Sequence, residues 1–345
     1  MYEKTGIRDP GWRVRATIVV AALAVGCAGL APIAGCDAAD GLTPVCELTN
    51  PEDLVGSHGG WLIISQMSPD GGELTAFRPS DETRRTLYRT GEDFLPHGID
   101  LSRDGKTLYV VDHGGDETVE VFDVGSDGDA APTLTHRLSV EVPEDLDAHL
   151  NDVAATPTGF VATKMFPRSQ TWGMVKMIFR SDTGHLVAWD AAGDRWKVIE
   201  NSHGLAPNGL AASADGRRII FSEWGRSRLI GVNVDGTDRE VSDSLGFSPD
   251  NISWTRDGQL LVAGQYATPL EMVQCLSADP GTTCALGSGV ARVNPDTLEI
   301  EHVLRHDPAT VVGAASVALE HDDRIWIGTF LGNRIVWFKN SGSDR

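Results

Sequence analysis

The chain has 345 residues, 41% of them hydrophobic, and a formal net charge of −20. That length and apolar content suffice to bury a full core, as two ordinary domains or one large all-β domain. The acidic balance excludes a general nucleic-acid binder, whose phosphates it would repel, and suits a soluble surface that attracts cations.

The first segment reads as an export leader. Met1 to Arg15 is polar with a basic end at Arg13 and Arg15, and Ala16 to Ala34 is almost wholly small and apolar, the layout of a secretory n-region and h-region. The run ends Ile33-Ala34-Gly35-Cys36, which resembles the lipobox of bacterial lipoproteins, with cleavage before Cys36 and a diacylglycerol on its sulfur. Cys27 fits less well, because Ala24 stands where a larger aliphatic is usual. A plain cleaved signal and an uncleaved anchor are the alternatives. All three place the folded part outside the cytoplasm, in the cell envelope, and the lipid would be the membrane contact. Residues 1–36 are therefore the leader and 37–46 a short linker. Of the remaining cysteines, Cys275 and Cys284 flank a short polar loop and suit a disulfide hairpin in an oxidising compartment, which leaves Cys46 unpaired.

Beyond the linker there is no long helical periodicity. Short β-branched and aromatic runs are broken by Gly turns, as in "GIDLSRDGKTLYVVD", "GLAASADGRRIIFSE" and "NISWTRDGQLLVAG". Turns recur about every 40 to 65 residues, the range of four-stranded blades. The fold class expected is all-β, a six-bladed β-propeller over 47–340 followed by a polar tail at 341–345, with a β-sandwich as the alternative. The stretch from Pro167 to Asp182 fits the repeat poorly and reads as a loop over one face.

A polar residue precedes the turns at a fixed distance. Glu52 lies eight residues before Gly60, His97 before Gly105, Asn151 before Gly159, Asn208 before Gly216 and Asp250 before Gly258; Ala315 breaks the series in the sixth repeat. Equivalent positions in blades lie at equal depth around one central channel, so these side chains should converge. A ring of carboxylate and neutral amide oxygens suits calcium far better than zinc. The plainer alternative is that each residue only caps a strand end or makes an Asx turn.

At these residues the sequence resembles the paraoxonase/arylesterase family, within the gluconolactonase-like group of calcium propellers. "PEDL", "PHGIDLS", "LYVVDHGGDETVEVFDV", "LND", "PNGLAASADG", "PDNIS" and "GAASVAL" carry the likeness. The resemblance implies a catalytic calcium on Glu52, Asn151, Asn208, Asp250 and Asn251. It implies a second, structural calcium on Asp53, Asp152 and the carbonyl of Ile99, and a catalytic pair His97 and His113. The chain departs from the family in having no Cys near its end, Gln265 where some relatives have a pocket His, and an unfamiliar loop near Trp172.

The expected chemistry is hydrolysis of a lactone or aryl ester, with a metal-held carbonyl oxygen and water activated by His97, which His113 orients. A sugar-lactone or phosphotriester hydrolase on the same scaffold, and a non-catalytic envelope propeller that binds a ligand or partner, are the rivals. His58, His149, His203, His306 and His321 read as solvated. No Gly-x-Ser-x-Gly elbow, phosphate loop or dinucleotide fingerprint occurs.

Overall fold

The computed structural model describes residues 32–340 except 69, 92 and 278–281; residues 1–31, which carry most of the leader, and the tail 341–345 lie outside that range. Six four-stranded antiparallel sheets form a six-bladed propeller. The inner strands are Pro51–Gly56, Pro96–Leu101, His149–Thr156, Pro207–Ala212, Ser248–Trp254 and Ala315–His321, and the blades are numbered in that order.

Apolar side chains of neighbouring sheets interdigitate, so the core lies in wedges between blades. Tyr109, Val111 and Val119 of blade 2 pack with Phe160, Val187 and Trp189 of blade 3. Phe77 of blade 1 meets Trp326 of blade 6 edge-on, with ring centroids 5.6 Å apart. Middle strands such as Thr107–Asp112 are buried on both faces, and read as continuous apolar runs. Outer strands such as Thr83–Tyr88 are largely polar and exposed.

The ring closes through its first strand. Thr43–Cys46 pairs antiparallel with the last strand, Thr43 opposite Trp337 and Cys46 opposite Arg334, and forms the outer edge of blade 6. The segment taken for a linker is thus partly blade, and Leu42 just before it is buried in the core. Cys36 is bonded to Cys46, with a Cα separation of 6.2 Å. This corrects two expectations. Cys46 is not unpaired, and the Cys36 sulfur that the lipobox reading gives to a lipid is the one engaged here. Ile33, inside the segment that cleavage would remove, donates to the Thr283 carbonyl at 3.0 Å. Cys275 and Cys284 form the second disulfide. Two disulfides fit an oxidising, exported setting. No helix among the described residues is long and apolar enough to cross a membrane.

Two helices depart from the repeat. Helix α1 (Gln170–Ile178) replaces the expected loop and α2 is Pro269–Leu276. Each connects the second and third strands of its blade. Phe166, shortly before α1, pairs with His149 at the start of an inner strand, so the helix sits at the end of the barrel where the inner strands begin.

Candidate metal and catalytic site

Every inner strand carries an irregularity in its pairing just after its first or second residue. Pro96, Leu150, Pro207, Pro249 and Ala315 each pair normally, and pairing resumes three residues later at Ile99, Val153, Leu210, Ile252 and Ala318. In blade 1 it resumes two residues after Pro51, at Asp53. A bulge bends the strand and re-aims its unpaired side chains. The residues following the last one paired before the gap are Glu52, His97, Asn151, Asn208, Asp250 and Ser316. The sixth position is therefore Ser316, not Ala315. Blade 6 has no Gly to mark its turn: Arg324 stands opposite His321 as Gly159 stands opposite Thr156 in blade 3, and Ser316 lies eight residues before Arg324. Ser316 Oγ donates to the Glu52 carbonyl at 2.5 Å.

The next position along also has a pattern. Asp152 and Asn251 sit beside glycines of the preceding blades. A Cβ at Gly98 would collide with Asp152, and one at Gly209 with Asn251. These two glycines let acid and amide side chains reach into the channel.

The upper ring is buried and under-satisfied. Glu52 is 1% exposed, and Glu52 Oε2, Asn151 Oδ1, Asn208 Oδ1 and Asn251 Oδ1 are buried without any hydrogen-bond partner. Buried polar atoms are rarely left so. All four are acceptors, from blades 1, 3, 4 and 5, and among the described residues no Lys or Arg pairs with them. Desolvation, reinforced by the charges of Asp53, Asp250 and Asp152, pushes the Glu52 carboxyl well up. Burial likewise raises Asp250 to about 7, despite hydrogen bonds from Gln265 and Asn208. Acceptor oxygens that lack donors, beside acids that resist ionisation, fit a hard cation.

The lower set differs. Asp53 accepts from the amides of Leu54 and Ile99, both at 2.8 Å. Asp152 accepts from Val153 at 2.7 Å and Leu210 at 2.9 Å. Each carboxylate thereby staples its blade to the next, as Asp100 does to Ala155. Burial still raises Asp53 to about 7, and it holds Asp152 well above its ordinary value. Neither is left with an unpaired oxygen, so no orphan atom calls for a second ion here.

Beside the ring runs a chain of imidazoles. His97 Nδ1 and His113 Nε2 are 2.8 Å apart, and His113 Nδ1 is 3.1 Å from Glu117 Oε2. Glu117 also meets His149 Nδ1 at 3.2 Å and the Leu150 amide at 2.5 Å. The His113 and His149 rings stack, with centroids 4.4 Å apart. His97 Nε2 faces the ring, 3.4 Å from Asn151 Nδ2 and 3.6 Å from Glu52 Oε1. Burial, with His113 and His149 adjoining, holds His97 well below its ordinary pKa. Burial opposes protonation of His113 too, but Glu117 raises it overall. Glu117 is held below the usual carboxylate range, because His113 and His149 outweigh its desolvation.

Glu117 and His149 were not picked out by sequence reasoning. His149 was read as solvated and is half-buried in the chain; His306, read the same way, is buried and accepts from the Thr310 and Val311 amides. The available signal for Glu117 was its place four residues after His113. Together the donor atoms of His113, Glu117 and His149 could also hold a divalent metal.

No protein-family model matches the chain, and no curated protein matches it. Among solved structures, a luciferin-regenerating enzyme is similar, with a TM-score of 0.58, 14% identity, and coverage of 87% of this chain and 96% of that one. A gluconolactonase from Xanthomonas campestris gives a TM-score of 0.54 and 16% identity over 86% of this chain and 89% of its own. A protein of unknown function from Bacteroides thetaiotaomicron gives 0.57 and 11%, over 90% of this chain and 75% of its own. At these identities the likeness is one of fold, a six-bladed propeller.

Proposed function

We propose that this chain is a calcium-dependent hydrolase of lactones or aryl esters, working at the upper ring of the channel. One observation carries the reading: four acceptor oxygens on the inner strands of four blades are buried without hydrogen-bond partners, and a His97–His113–Glu117 chain lies beside Glu52 and Asn151. The resemblance of the ring residues to the paraoxonase/arylesterase family and the gluconolactonase among the fold neighbours support the same class of chemistry.

Glu52, Asn151, Asn208, Asp250 and Asn251 would hold the ion. Bound there, calcium would polarise a substrate carbonyl and offset negative charge that develops on its oxygen. The protein's own groups manage the proton. With Glu117 ionised, His113 donates Nδ1–H to it and accepts Nδ1–H from His97. His97 Nε2 then carries the lone pair that faces the ring, at a long 3.4 Å from Asn151 Nδ2. It takes a proton from water there, and the positive charge is shared along the chain toward Glu117. Burial keeps His97 neutral and ready to accept. The orphan oxygens support one ion in this reading, and Asp53, Asp152 and Ile99 also serve as blade staples.

A panel of aliphatic lactones of varied length, gluconolactone, phenyl acetate and an aryl phosphotriester, each assayed with chelator and with added calcium, tests the proposal. Turnover of a lactone or aryl ester that chelation abolishes and calcium restores is expected. No turnover on any of them, with the protein folded, would overturn it, and turnover of the phosphotriester alone would move the substrate class.

A further inference from the structure

Gln265 lies on the second strand of blade 5, Leu260–Tyr266, opposite Ser248 of the inner strand. It is 1% exposed. Its Nε2 donates to Asp250 Oδ2 at 2.5 Å and to the Ala315 carbonyl at 2.6 Å, while its Oε1 accepts from Trp224 Nε1 at 2.9 Å. Both amide hydrogens are thus committed and the carbonyl has its donor. Three blades meet in this one amide: Trp224 opens the short helical turn Trp224–Arg226 of blade 4, and Ala315 begins the inner strand of blade 6.

The orientation of the amide follows from its partners. An indole nitrogen only donates, and a backbone carbonyl only accepts. Turning the amide over would set its NH₂ against the Trp224 N–H and its oxygen against both Asp250 Oδ2 and the Ala315 carbonyl. Trp224 is itself held, its backbone N–H donating to Ala206 at 3.1 Å. The result is a directed line, Trp224 to Gln265 to Asp250, that ends on an acid of the ring.

We propose that Gln265, locked by Trp224, is a positioning residue that fixes the Asp250 carboxylate for the cation and makes no contact with substrate. The inference rests on the reading of the upper ring as a cation site. With both amide hydrogens committed and its side chain buried, Gln265 has no donor left for a substrate, whereas a donor to a ligating carboxylate orients it and strengthens metal binding.

The test is calorimetric titration of calcium into chelated and desalted protein, for wild type, Gln265→Leu, Trp224→Phe, Asp250→Asn and Asn208→Ala, with melting temperature measured without metal. Gln265→Leu is expected to weaken calcium binding by about 10- to 100-fold, and Trp224→Phe to weaken it less, in the same direction. At saturating calcium the KM for a lactone substrate should stay near the wild-type value in both. If Asp250→Asn and Asn208→Ala bind calcium as wild type does, the cation reading itself falls. If those two lose binding while Gln265→Leu retains wild-type affinity, the positioning role falls and the cation site stands. A raised KM at unchanged calcium affinity would make Gln265 a substrate contact and overturn the proposal. Should Gln265→Leu fail to fold, Trp224→Phe decides alone: weakened binding at an unchanged melting temperature supports the lock, and unchanged binding overturns it.

Discussion

Asn251 Nδ2 donates to Glu52 Oε1 at 2.8 Å, a bond between blades 5 and 1 across a sequence separation of 199. Each partner keeps one oxygen unpaired, Asn251 Oδ1 and Glu52 Oε2. The pair is thus structural on one side and unsatisfied on the other. Loss of the amide removes a buried donor to a carboxylate, a contact worth about 1.5–3 kcal/mol. Asn251→Ala is expected to destabilise the chelated protein by about that amount in urea unfolding and also to weaken calcium binding. Stability lost with calcium affinity intact would remove Asn251 from the ligand set.

The channel acids make stability depend on pH in an unusual direction. Asp53 and Asp250 are raised to about 7 and Asp100 to about 6, and Glu52 and Asp152 are also raised, all by desolvation first. The folded state therefore binds more protons than the unfolded chain, whose carboxyls titrate near 4. Stability from these groups is fully present below that value and is lost as pH climbs through the folded values. Without metal, the melting temperature should fall between about pH 4 and 7. Saturating calcium, which binds the folded form with these acids ionised, should flatten or reverse that slope. A chelated protein that grows steadily more stable from pH 5 to 8 would contradict the burial of these acids.

Much of this was legible in the sequence, for identifiable reasons. The bulge repeats at one place in each inner strand, so Glu52, His97, Asn151, Asn208 and Asp250 stand at one spacing from their turns. The same counting lost Ser316, because blade 6 has Arg324 where blade 3 has the turn Gly159, so no Gly marks the place to count from. Glu117 and His149 escaped since they meet across the gap between blades 2 and 3, a contact no local spacing encodes. Helix α1 was obscured by Gly173, a poor helix former, which is small because Phe166 packs where its side chain would be. Thr43–Cys46 is only four residues long, and nothing local says that its partner is the far end of the chain.

The imidazole chain divides proton transfer from proton support. His97→Gln removes the group facing the ring and should lower kcat by about 10²–10⁴-fold. Glu117→Gln leaves His97 in place but removes the charge that raises His113 and fixes its Nδ1–H. Its effect on kcat should be smaller, and the alkaline form of His97 should no longer be held in one tautomer. The lowered His97 implies that kcat/KM of wild type stays on its plateau at pH values below 6.5, the ordinary imidazole value. An activity that falls off with a midpoint above 6.5 on acidification would mean that another group is the base.

Cys36–Cys46 ties the segment ahead of the closing strand to that strand, ten residues apart in sequence. Loop-closure entropy alone gives such a bond about 2–3 kcal/mol. The strand it adjoins has only Thr43–Cys46 to hold the edge of blade 6 against Arg334–Lys339, and Arg84 of blade 1 reaches the Cys46 carbonyl at 2.6 Å. Cys46→Ser should therefore lower the melting temperature by several degrees and raise hydrogen exchange at Val336 and Trp337, with the inner blades unaffected. Alkylation of the mature, unreduced protein followed by intact mass decides the chemistry of Cys36 directly. No label on Cys36 or Cys46, and a mass without acyl chains, is the outcome that agrees with the bond. A lipid-bearing protein that begins at Cys36 and takes one label at Cys46 would show that the ring closes by strand pairing alone.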